Sequence, residues 1–240
     1  MQLSKRLQAV ANLVTQGNRV ADVGCDHAYT SIYMAENRIS PHVIAMDINQ
    51  GPIDRARENI IKYGYENQIE VRKSDGLKKL EAGEADTVII AGMGGGLIVQ
   101  ILSERMEVMK SLRELVLQPQ SETFKVRHLL MDNNFIIIEE NMIKEDGKFY
   151  VMMKAVPQKF VKDTSTYQLA LEEHLYYGRL LLEQKNPILA EYLLWDLEIC
   201  KGIINTLEEE RTENTLLRLE EINNRMELIH RGLEYYKQEA

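Results

Sequence analysis

The chain has 240 residues with a formal net charge of −8; 45% are hydrophobic and 28% are charged. This is the composition of a globular protein, and it excludes collagen-like and disordered classes. No apolar run approaches the roughly 18 residues of a membrane helix, and the opening MQLSKRLQAV has no signal-peptide core, so we expect a cytoplasmic protein.

Residues 1–157 alternate between short apolar runs and amphipathic segments. The apolar runs predict five strands, at 19–24, 42–48, 68–73, 86–92 and 114–119. Because helical segments separate them, the strands should form a parallel sheet of order 3-2-1-4-5, joined by right-handed crossovers. Residues 134–156 then form two long runs around Asp146-Gly147, a strong hairpin signal. The sequence therefore predicts an α/β sheet that ends in an antiparallel hairpin.

From about residue 166 onward the pattern is helical only. Two apolar stripes lie on either side of the polar segment 208–214. They comprise Leu189, Leu193, Leu197, Cys200, Ile204 and Leu207, and then Leu216, Leu219, Ile222, Met226, Ile229, Leu233 and Tyr236. The interruption predicts two helices folded back as an antiparallel coiled coil, and the alternative is one continuous helix used for dimerisation. We divide the chain into a first domain, 1–157, and a helical domain, 158–240, and expect a monomer.

Acidic residues and glycines follow successive predicted strands. The first strand ends in Asp22 and Gly24, and the second ends in Asp47. A glycine there lets a ligand approach the backbone, and a carboxylate at the next strand end can accept hydrogen bonds from a ribose. Ser74-Asp75-Gly76 follows the third strand and Ala91-Gly92-Met93-Gly94 ends the fourth. Strands one and four flank the switch point of such a sheet, so these loops should meet at one ligand crevice.

The acidic first loop indicates which cofactor fits. Asp26 and Ala28 stand where a dinucleotide-binding loop has glycines. The carboxylates of Asp22 and Asp26 would repel a pyrophosphate but would tolerate S-adenosylmethionine, which carries an ammonium and a sulfonium. Since a terminal antiparallel hairpin is typical of class I methyltransferases, we predict that Rossmann-like fold. A nicotinamide-dependent oxidoreductase, disfavoured by the missing glycines, and a non-catalytic scaffold, disfavoured by Asp47 and Asp75, are the alternatives from other classes.

Four motifs along the chain carry a family resemblance. They are Asp22-Val-Gly-Cys-Asp-His-Ala-Tyr-Thr, Ala91-Gly-Met-Gly-Gly, Ser4-Lys5-Arg6-Leu7 and Leu117-Gln118-Pro119-Gln120. With the helical appendage, they resemble the TrmK family of bacterial methyltransferases that modify N1 of adenine 22 in tRNA, over essentially the whole chain. The resemblance implies S-adenosylmethionine as the cofactor and tRNA as the partner. The implied cofactor contacts are Asp22, Gly24, Cys25, Asp47, Ile48, Asp75, Gly76, Gly92, Met93 and Gly94.

Within that set the resemblance implies distinct roles. Asp47 holds the ribose, Ile48 packs on the adenine ring, and Asp75 reads the adenine amino group. Met93 lines the methyl-donor pocket. The alternatives are a plain core residue for Ile48 and loop packing for Met93.

Asp26, His27 and Tyr29 are the candidate catalytic residues. Adenine N1 is a neutral nucleophile, so methyl transfer needs alignment and exclusion of water rather than a strong base. The methylated base is cationic, and the Asp26 carboxylate could stabilise it. His27 could orient the base or carry a proton, and Tyr29 could stack on a flipped adenine or hydrogen-bond to it. The structural alternatives are a helix cap for Asp26, a packed loop residue for His27 and a core aromatic for Tyr29.

The sequence also bears on which atom is methylated and on the class of the acceptor. No Asn-Pro-Pro-Tyr motif follows strand four, which favours a ring nitrogen over the exocyclic amine. A small-molecule or protein acceptor is the main rival, and the appended helices favour a large substrate.

The two cysteines, Cys25 and Cys200, lie far apart and the histidines lack ligand spacing, so we expect neither a disulfide framework nor a metal.

RNA would have to bind through local cations, because the net charge is negative. A solvated surface role is the ordinary explanation of each cation taken singly. The candidates are Arg6, Arg72, Lys73, Lys78, Lys79, Arg105, Lys110, Arg113, Lys125, Arg127, Lys144 and Lys148, with Arg211, Arg218, Arg225 and Arg231 in the helical domain.

Overall fold

The computed structural model describes residues 3–163, 169–209 and 213–237. The chain divides into two compact units, Met1–Gln168 and Leu169–Ala240. The first unit holds a seven-stranded sheet and the second is helical. The predicted position Arg211 lies outside the described residues, as does the stretch 164–168.

The sheet has the predicted strands in the predicted order. The strands are β1 (Val20–Val23), β2 (Val43–Asp47), β3 (Ile69–Lys73), β4 (Thr87–Met93), β5 (Glu114–Pro119), β6 (Phe135–Glu145) and β7 (Lys148–Pro157). Their order is β3-β2-β1-β4-β5-β7-β6, with the first five parallel and the last two antiparallel. β7 therefore lies between β5 and β6, and the hairpin prediction is confirmed.

The helices of the first unit cover a thoroughly buried sheet. They are α1 (Lys5–Asn12), α2 (Tyr29–Glu36), α3 (Gln50–Tyr63), α4 (Gly95–Ser103), α5 (Met106–Ser111) and α6 (Thr123–Asp132). All residues of β1 and β5 are buried, as expected for parallel strands covered on both faces. Such packing leaves the carboxyl ends of the strands as the place for a ligand.

A bulge at Gly92 shapes the end of β4. Ala91 pairs with Gln118, but the next paired residue is Met93, opposite Pro119. Gly92 has a φ of +81°, a left-handed conformation that glycine adopts without steric cost. The bulge turns the end of β4 toward the loop after β1.

A buried ion pair joins α6 to β6. The side chain of Arg127 is fully buried, and its Nη2 and Nε donate to Oε1 of Glu140 at 2.8 and 3.1 Å. Arg127 therefore cannot contact RNA, and that prediction is wrong. The reason is that α6 turns this position toward the sheet, where the cation neutralises an inward carboxylate that would otherwise be costly to bury.

Within residues 169–209 and 213–237, which the structure describes, the second unit contains four helices. They are α7 (Glu172–Tyr177), α8 (Arg179–Glu183), α9 (Pro187–Glu209) and α10 (Glu213–Glu234). Arg225 of α10 contacts Asp196 of α9, and Gly232 lies against Leu193, so the two long helices run antiparallel. The two predicted helices are confirmed, although Leu216 of the predicted stripe is exposed. Their supercoiling stays a prediction. None of the described helices is long and apolar enough to cross a membrane.

Candidate functional site

A cleft of about 250 Å³ opens where β1 and β4 end. It brings together the loop after β1, the bulge of β4, the start of α1 and the loop after β5. The lining residues are Arg6, Leu7, Asp22, Gly24, Cys25, Asp26, His27, Tyr29, Thr30, Ala91, Gly92 and Gln120. This is the switch point that the sequence predicts, since strand order reverses between β1 and β4.

The loop after β1 has an unusual backbone. Gly24, Asp26 and Ala28 have φ values of +78°, +48° and +58°, so every second residue is left-handed. The conformation is uncommon for a residue with a Cβ, and such strain concentrates at functional sites. α2 starts at Tyr29, and Ala28 occupies the cap position without any side-chain hydrogen bond. Asp26 is therefore not the cap of α2, and that structural alternative is wrong.

Asp22 is a buried carboxylate without a cationic partner in the described chain. The Oγ of Ser31 donates to its Oδ2 at 2.7 Å, and only 5% of the residue is exposed. Burial raises the pKa of Asp22 to about 6, and the nearby charge of Asp47 adds to that rise, whereas the Ser31 hydrogen bond opposes it. Above that pH the cleft holds a negative charge that a cationic ligand would neutralise.

Asp47 and Ile48 lie at the end of β2. The carboxylate of Asp47 accepts the backbone N–H of Asn49 at 2.9 Å and, less closely, that of Asp26 at 3.4 Å. These contacts fix the carboxylate and leave lone pairs for other donors. Ile48 is 53% exposed, so the core-residue alternative is wrong. Its contact with an adenine ring stays a prediction.

Asp26, His27 and Tyr29 form a contiguous group on one wall of the cleft. Nε2 of His27 lies 3.6 Å from Oδ2 of Asp26, and Nη2 of Arg55 lies 3.7 Å from Oδ1. The rings of His27 and Tyr29 are stacked, with centroids 5.5 Å apart and planes inclined by 13°. The side-chain Nδ2 of Asn59 donates to the backbone carbonyl of His27 at 3.0 Å. Tyr29 is 39% exposed and is therefore not a core aromatic.

Four other predicted cofactor residues, Asp75, Gly76, Met93 and Gly94, are not among the residues that line the cleft. Asp75 is exposed and paired with Lys78. Gly76 lies against the side chain of Ile101. The side chain of Met93 packs against Gly24. Gly94 is the cap residue of α4. Their contacts with the cofactor stay predictions.

Cys25 lines the cleft but is nearly buried, and burial raises the pKa of its thiol. The raised pKa argues against a thiolate nucleophile at neutral pH. Any contribution of Cys25 to cofactor binding is therefore one of packing or of backbone contact.

Arg6, Thr30 and Gln120 line the cleft although the predicted cofactor and catalytic residues did not include them. Arg6 was predicted only as a candidate RNA contact. Arg6, Thr30 and Gln120 fall in three of the four motifs, which was the available signal. Nothing in the local pattern shows that residues more than a hundred positions apart meet at one cleft.

Most of the other candidate cations have structural partners. Arg72 binds Glu84 and Glu70, and Arg105 donates to backbone carbonyls of the segment 77–80. Arg113 precedes β5, at the opposite edge of the sheet, and pairs with Asp86. Arg225 and Arg231 pair with acids of their own unit. RNA contact through these side chains would require breaking such pairs.

The cleft and the adjoining end of β2, which does not itself line the cleft, together suit a cationic nucleoside cofactor. Asp22 offers an uncompensated buried charge, Asp47 offers a fixed carboxylate for hydroxyl groups, and the exposed Ile48 offers apolar surface beside it. A pyrophosphate would instead meet the carboxylates of Asp22 and Asp26. The residues present therefore fit S-adenosylmethionine. Within the described chain, no group of three or more His, Cys, Asp or Glu residues could hold a metal ion.

Comparison with known proteins agrees with this geometry. Residues 3–153 match the family described as methyltransferase domain. The tRNA (adenine(22)-N(1))-methyltransferase of Bacillus subtilis (strain 168) is 32% identical over 236 residues, 98% of each chain. The crystal structure of the B. subtilis M1A22 tRNA methyltransferase TrmK superposes with a TM-score of 0.85 and 33% identity, covering 97% of this chain and 99% of the other.

A Streptococcus pneumoniae protein solved in complex with S-adenosyl-L-methionine superposes with a TM-score of 0.84 at 28% identity, covering 97% of this chain and all of the other. The relatives thus match both units of the chain rather than the sheet alone. Sequence, fold and cleft geometry agree, and the chain belongs to the TrmK family of methyltransferases.

Proposed function

We propose that this protein transfers a methyl group from S-adenosylmethionine to N1 of adenine 22 in tRNA. The observation that carries the proposal is the group Asp26, His27 and Tyr29, which lies beside the buried Asp22 carboxylate in one cleft. The activity named for the B. subtilis relative, which covers nearly the full chain, supports the same reaction. We further propose that the enzyme works in the cytoplasm as a monomer.

The cofactor would be held from the β1 and β2 side of the cleft. Asp22 faces the positive end of the ligand, Asp47 the ribose hydroxyls, and Ile48 one face of the adenine. Asp75, Gly76, Met93 and Gly94 would complete the contacts at neighbouring strand ends. When bound, S-adenosylmethionine supplies an electrophilic methyl group.

The residues of the first loop act on the acceptor base. Tyr29, with a ring that is partly exposed and stacked on His27, offers a surface on which a flipped adenine can lie. Methylation uses the lone pair of N1 and leaves the base cationic, and Asp26 places a carboxylate next to it. His27, 3.6 Å from Asp26, is positioned to orient the base or to take a proton from its amino group afterwards.

Methyl transfer from labelled S-adenosylmethionine to an unmodified tRNA transcript tests the proposed function. Nucleoside mapping should place 1-methyladenosine at position 22. A transcript with guanine at position 22 is the matched control and should gain no label. Label found at another position, or only in protein or small molecules, would contradict the proposal.

Cofactor identity has its own test. Calorimetric titration should show binding of S-adenosylmethionine and no binding of NAD, because the acids Asp22 and Asp26 favour a cation and repel a pyrophosphate. S-adenosylhomocysteine, which lacks the sulfonium charge, is a useful third ligand. Binding of NAD without binding of S-adenosylmethionine would contradict the assigned cofactor.

We propose that the helical unit positions the tRNA. A chain ending at Asp163 keeps the whole sheet and the hydrogen bond between the N–H of Gln158 and the carbonyl of Asn134 at 2.8 Å. It should bind S-adenosylmethionine as the full chain does and lose most tRNA methylation. Calorimetry and the methylation assay check the two halves of this expectation. A folded, cofactor-binding truncation with undiminished turnover of tRNA would refute the role of the helices.

A further inference from the structure

Helix α3 brings two side chains to the loop after β1. Nη2 of Arg55 lies 3.7 Å from Oδ1 of Asp26, and Nδ2 of Asn59 donates to the backbone carbonyl of His27 at 3.0 Å. Arg55 and Asn59 are four residues apart, so they lie on one face of α3, about one turn from each other. Neither is among the residues that line the cleft. The segment that carries the candidate catalytic residues is therefore held by a helix through side chains that do not line the cleft themselves.

The backbone of this loop needs support from its surroundings. Asp26 and Ala28, on either side of His27, have φ values of +48° and +58°. A residue with a Cβ keeps such a conformation only where the surrounding contacts impose it. The carbonyl of Met46, in β2, accepts two N–H groups of the first half of the loop, at 2.8 and 3.0 Å. The second half has the hydrogen bond from Asn59, whose acceptor is the carbonyl between the two left-handed residues.

The Asp26 carboxylate depends on other side chains for its orientation. The side chain is 65% exposed, so core packing does not restrict it. Two groups approach its oxygens, Nε2 of His27 at 3.6 Å from Oδ2 and Nη2 of Arg55 at 3.7 Å from Oδ1. His27 belongs to the same loop and moves with it, whereas Arg55 belongs to α3. The contact with Arg55 therefore fixes the carboxylate relative to the rest of the fold.

We propose that Arg55 and Asn59 are positioning residues for methyl transfer, which hold Asp26 and His27 where the acceptor base meets them. The inference rests on the proposed function, since it presumes that Asp26 stabilises the methylated base. Such stabilisation is effective when the charged group is in place before the charge of the base develops. Arg55 orients the carboxylate, and Asn59 keeps the backbone that presents it.

A double-mutant cycle on the kcat of tRNA methylation tests Arg55. Arg55→Met keeps a long unbranched side chain without its charge and should lower kcat about tenfold, because a misplaced catalytic group is costly. In the Asp26→Asn background the same change should lower kcat by less than about twofold, because Arg55 then has no carboxylate to orient. Arg55→Lys keeps a cation and should recover most of the rate.

Arg57→Met is the matched control for the lost charge. The Arg57 side chain is 51% exposed, against 49% for Arg55, and it pairs with Asp54 of the same helix rather than with the loop. It should leave kcat unchanged in both backgrounds. Because an exposed ion pair adds little to folding stability, the arginine variants should melt at about the temperature of the parent.

Asn59 is tested by the difference between effects on kcat and on KM. Asn59→Leu has a side chain of similar size without the donor to His27, and it should lower kcat about tenfold. The KM for tRNA and the calorimetric affinity for S-adenosylmethionine should stay within about twofold of the parent, since neither ligand loses a direct contact. Asn59→Asp replaces the donor by an acceptor that faces a carbonyl and should lower kcat at least as much. Thermal melts confirm that each variant folds.

Three results would overturn the inference. Equal losses of kcat from Arg55→Met in the parent and in Asp26→Asn would show that Arg55 does not act through Asp26. A raised KM for tRNA with unchanged kcat would assign Arg55 or Asn59 to binding of the RNA. A parent kcat in Arg55→Met or Asn59→Leu would exclude a positioning role for that residue, and a parent kcat in Asp26→Asn would exclude it for Arg55. All rates are measured on the nucleoside that the parent methylates, so a parent that leaves adenine 22 unmodified contradicts the proposed function without deciding these roles.

Discussion

Asp26→Asn should lower the turnover of tRNA methylation about 30- to 1000-fold and leave S-adenosylmethionine affinity nearly unchanged. The reason is that the carboxylate meets a full positive charge only as the base is methylated, so its loss appears in the rate constant. A penalty of about 2–4 kcal/mol is usual for a removed electrostatic stabiliser. Asparagine also tolerates the left-handed backbone of this position, with its φ of +48°, so the loop geometry is kept.

Tyr29 provides the companion measurement. Tyr29→Ala removes the stacking surface and should reduce turnover severely, whereas Tyr29→Phe keeps the ring. Little loss in the phenylalanine variant would mean that the ring face holds the adenine, and a large loss would mean that the hydroxyl does. Because neither Asp26 nor Tyr29 is the cap residue of α2, Asp26→Asn and Tyr29→Ala should both melt at about the temperature of the parent. If Asp26→Asn and Tyr29→Ala both methylate at the parent rate, the catalytic group lies elsewhere in the cleft.

Asp22→Asn should stabilise the free protein and weaken the binding of its cofactor. The pKa of Asp22 is raised from its ordinary value of 3.8 to about 6, mainly by burial, so the ionised form is disfavoured in the folded state. The stability that the protonated form contributes is present below about pH 4 and is lost as pH rises through about 6. By pH 8 the buried charge costs about 3 kcal/mol. The variant should therefore melt higher than the parent at pH 8 and similarly at pH 4.

Asp22→Asn should lower the affinity for S-adenosylmethionine, whereas it should raise the stability of the free protein. The parent should bind S-adenosylmethionine less tightly as pH falls through about 6, because protonation removes the charge that faces a cationic ligand. Asp22→Asn should bind about tenfold or more weakly at pH 8 and should lack that pH dependence. Ser31→Ala is the matched control, since it removes only the hydrogen bond that lowers the pKa and should shift the pH profile upward. A variant that gains no stability at pH 8, or that binds like the parent, would contradict this account of Asp22.

The sheet could be predicted from sequence because its signals are local. Each strand is a short apolar run between helical segments, and Asp146-Gly147 marks the hairpin directly. The same holds for Asp22 and Asp47, which lie at the carboxyl ends of strands that must meet at one edge of the sheet. Side-chain contacts between residues of different elements could not be predicted from the sequence. Arg127 in its helix looks like any surface cation, and only the fold shows that it turns inward to Glu140.

The left-handed residues of the first loop were not predicted either. Asp26 and Ala28 can each adopt the ordinary right-handed or extended conformations, so the sequence contains no sign of their positive φ. The surrounding contacts impose it, among them the hydrogen bond from the N–H of Ala28 to the carbonyl of Cys25 at 2.7 Å. The exposure of Ile48 also depends on tertiary context. An apolar residue directly after a strand resembles a core residue in the sequence, but in the structure its side chain is exposed.

The place of β7 between β5 and β6 sets an order of assembly during synthesis. The loops that would hold the cofactor are complete once α4 has begun at Gly95, and they need only β1 to β4. β6 pairs with β7 and not with β5, so it can join the sheet only after β7 has been made. Glu145, which anchors the start of α1, arrives equally late. A nascent chain would therefore build the loops after β1 to β4 well before the start of α1 is anchored beside them.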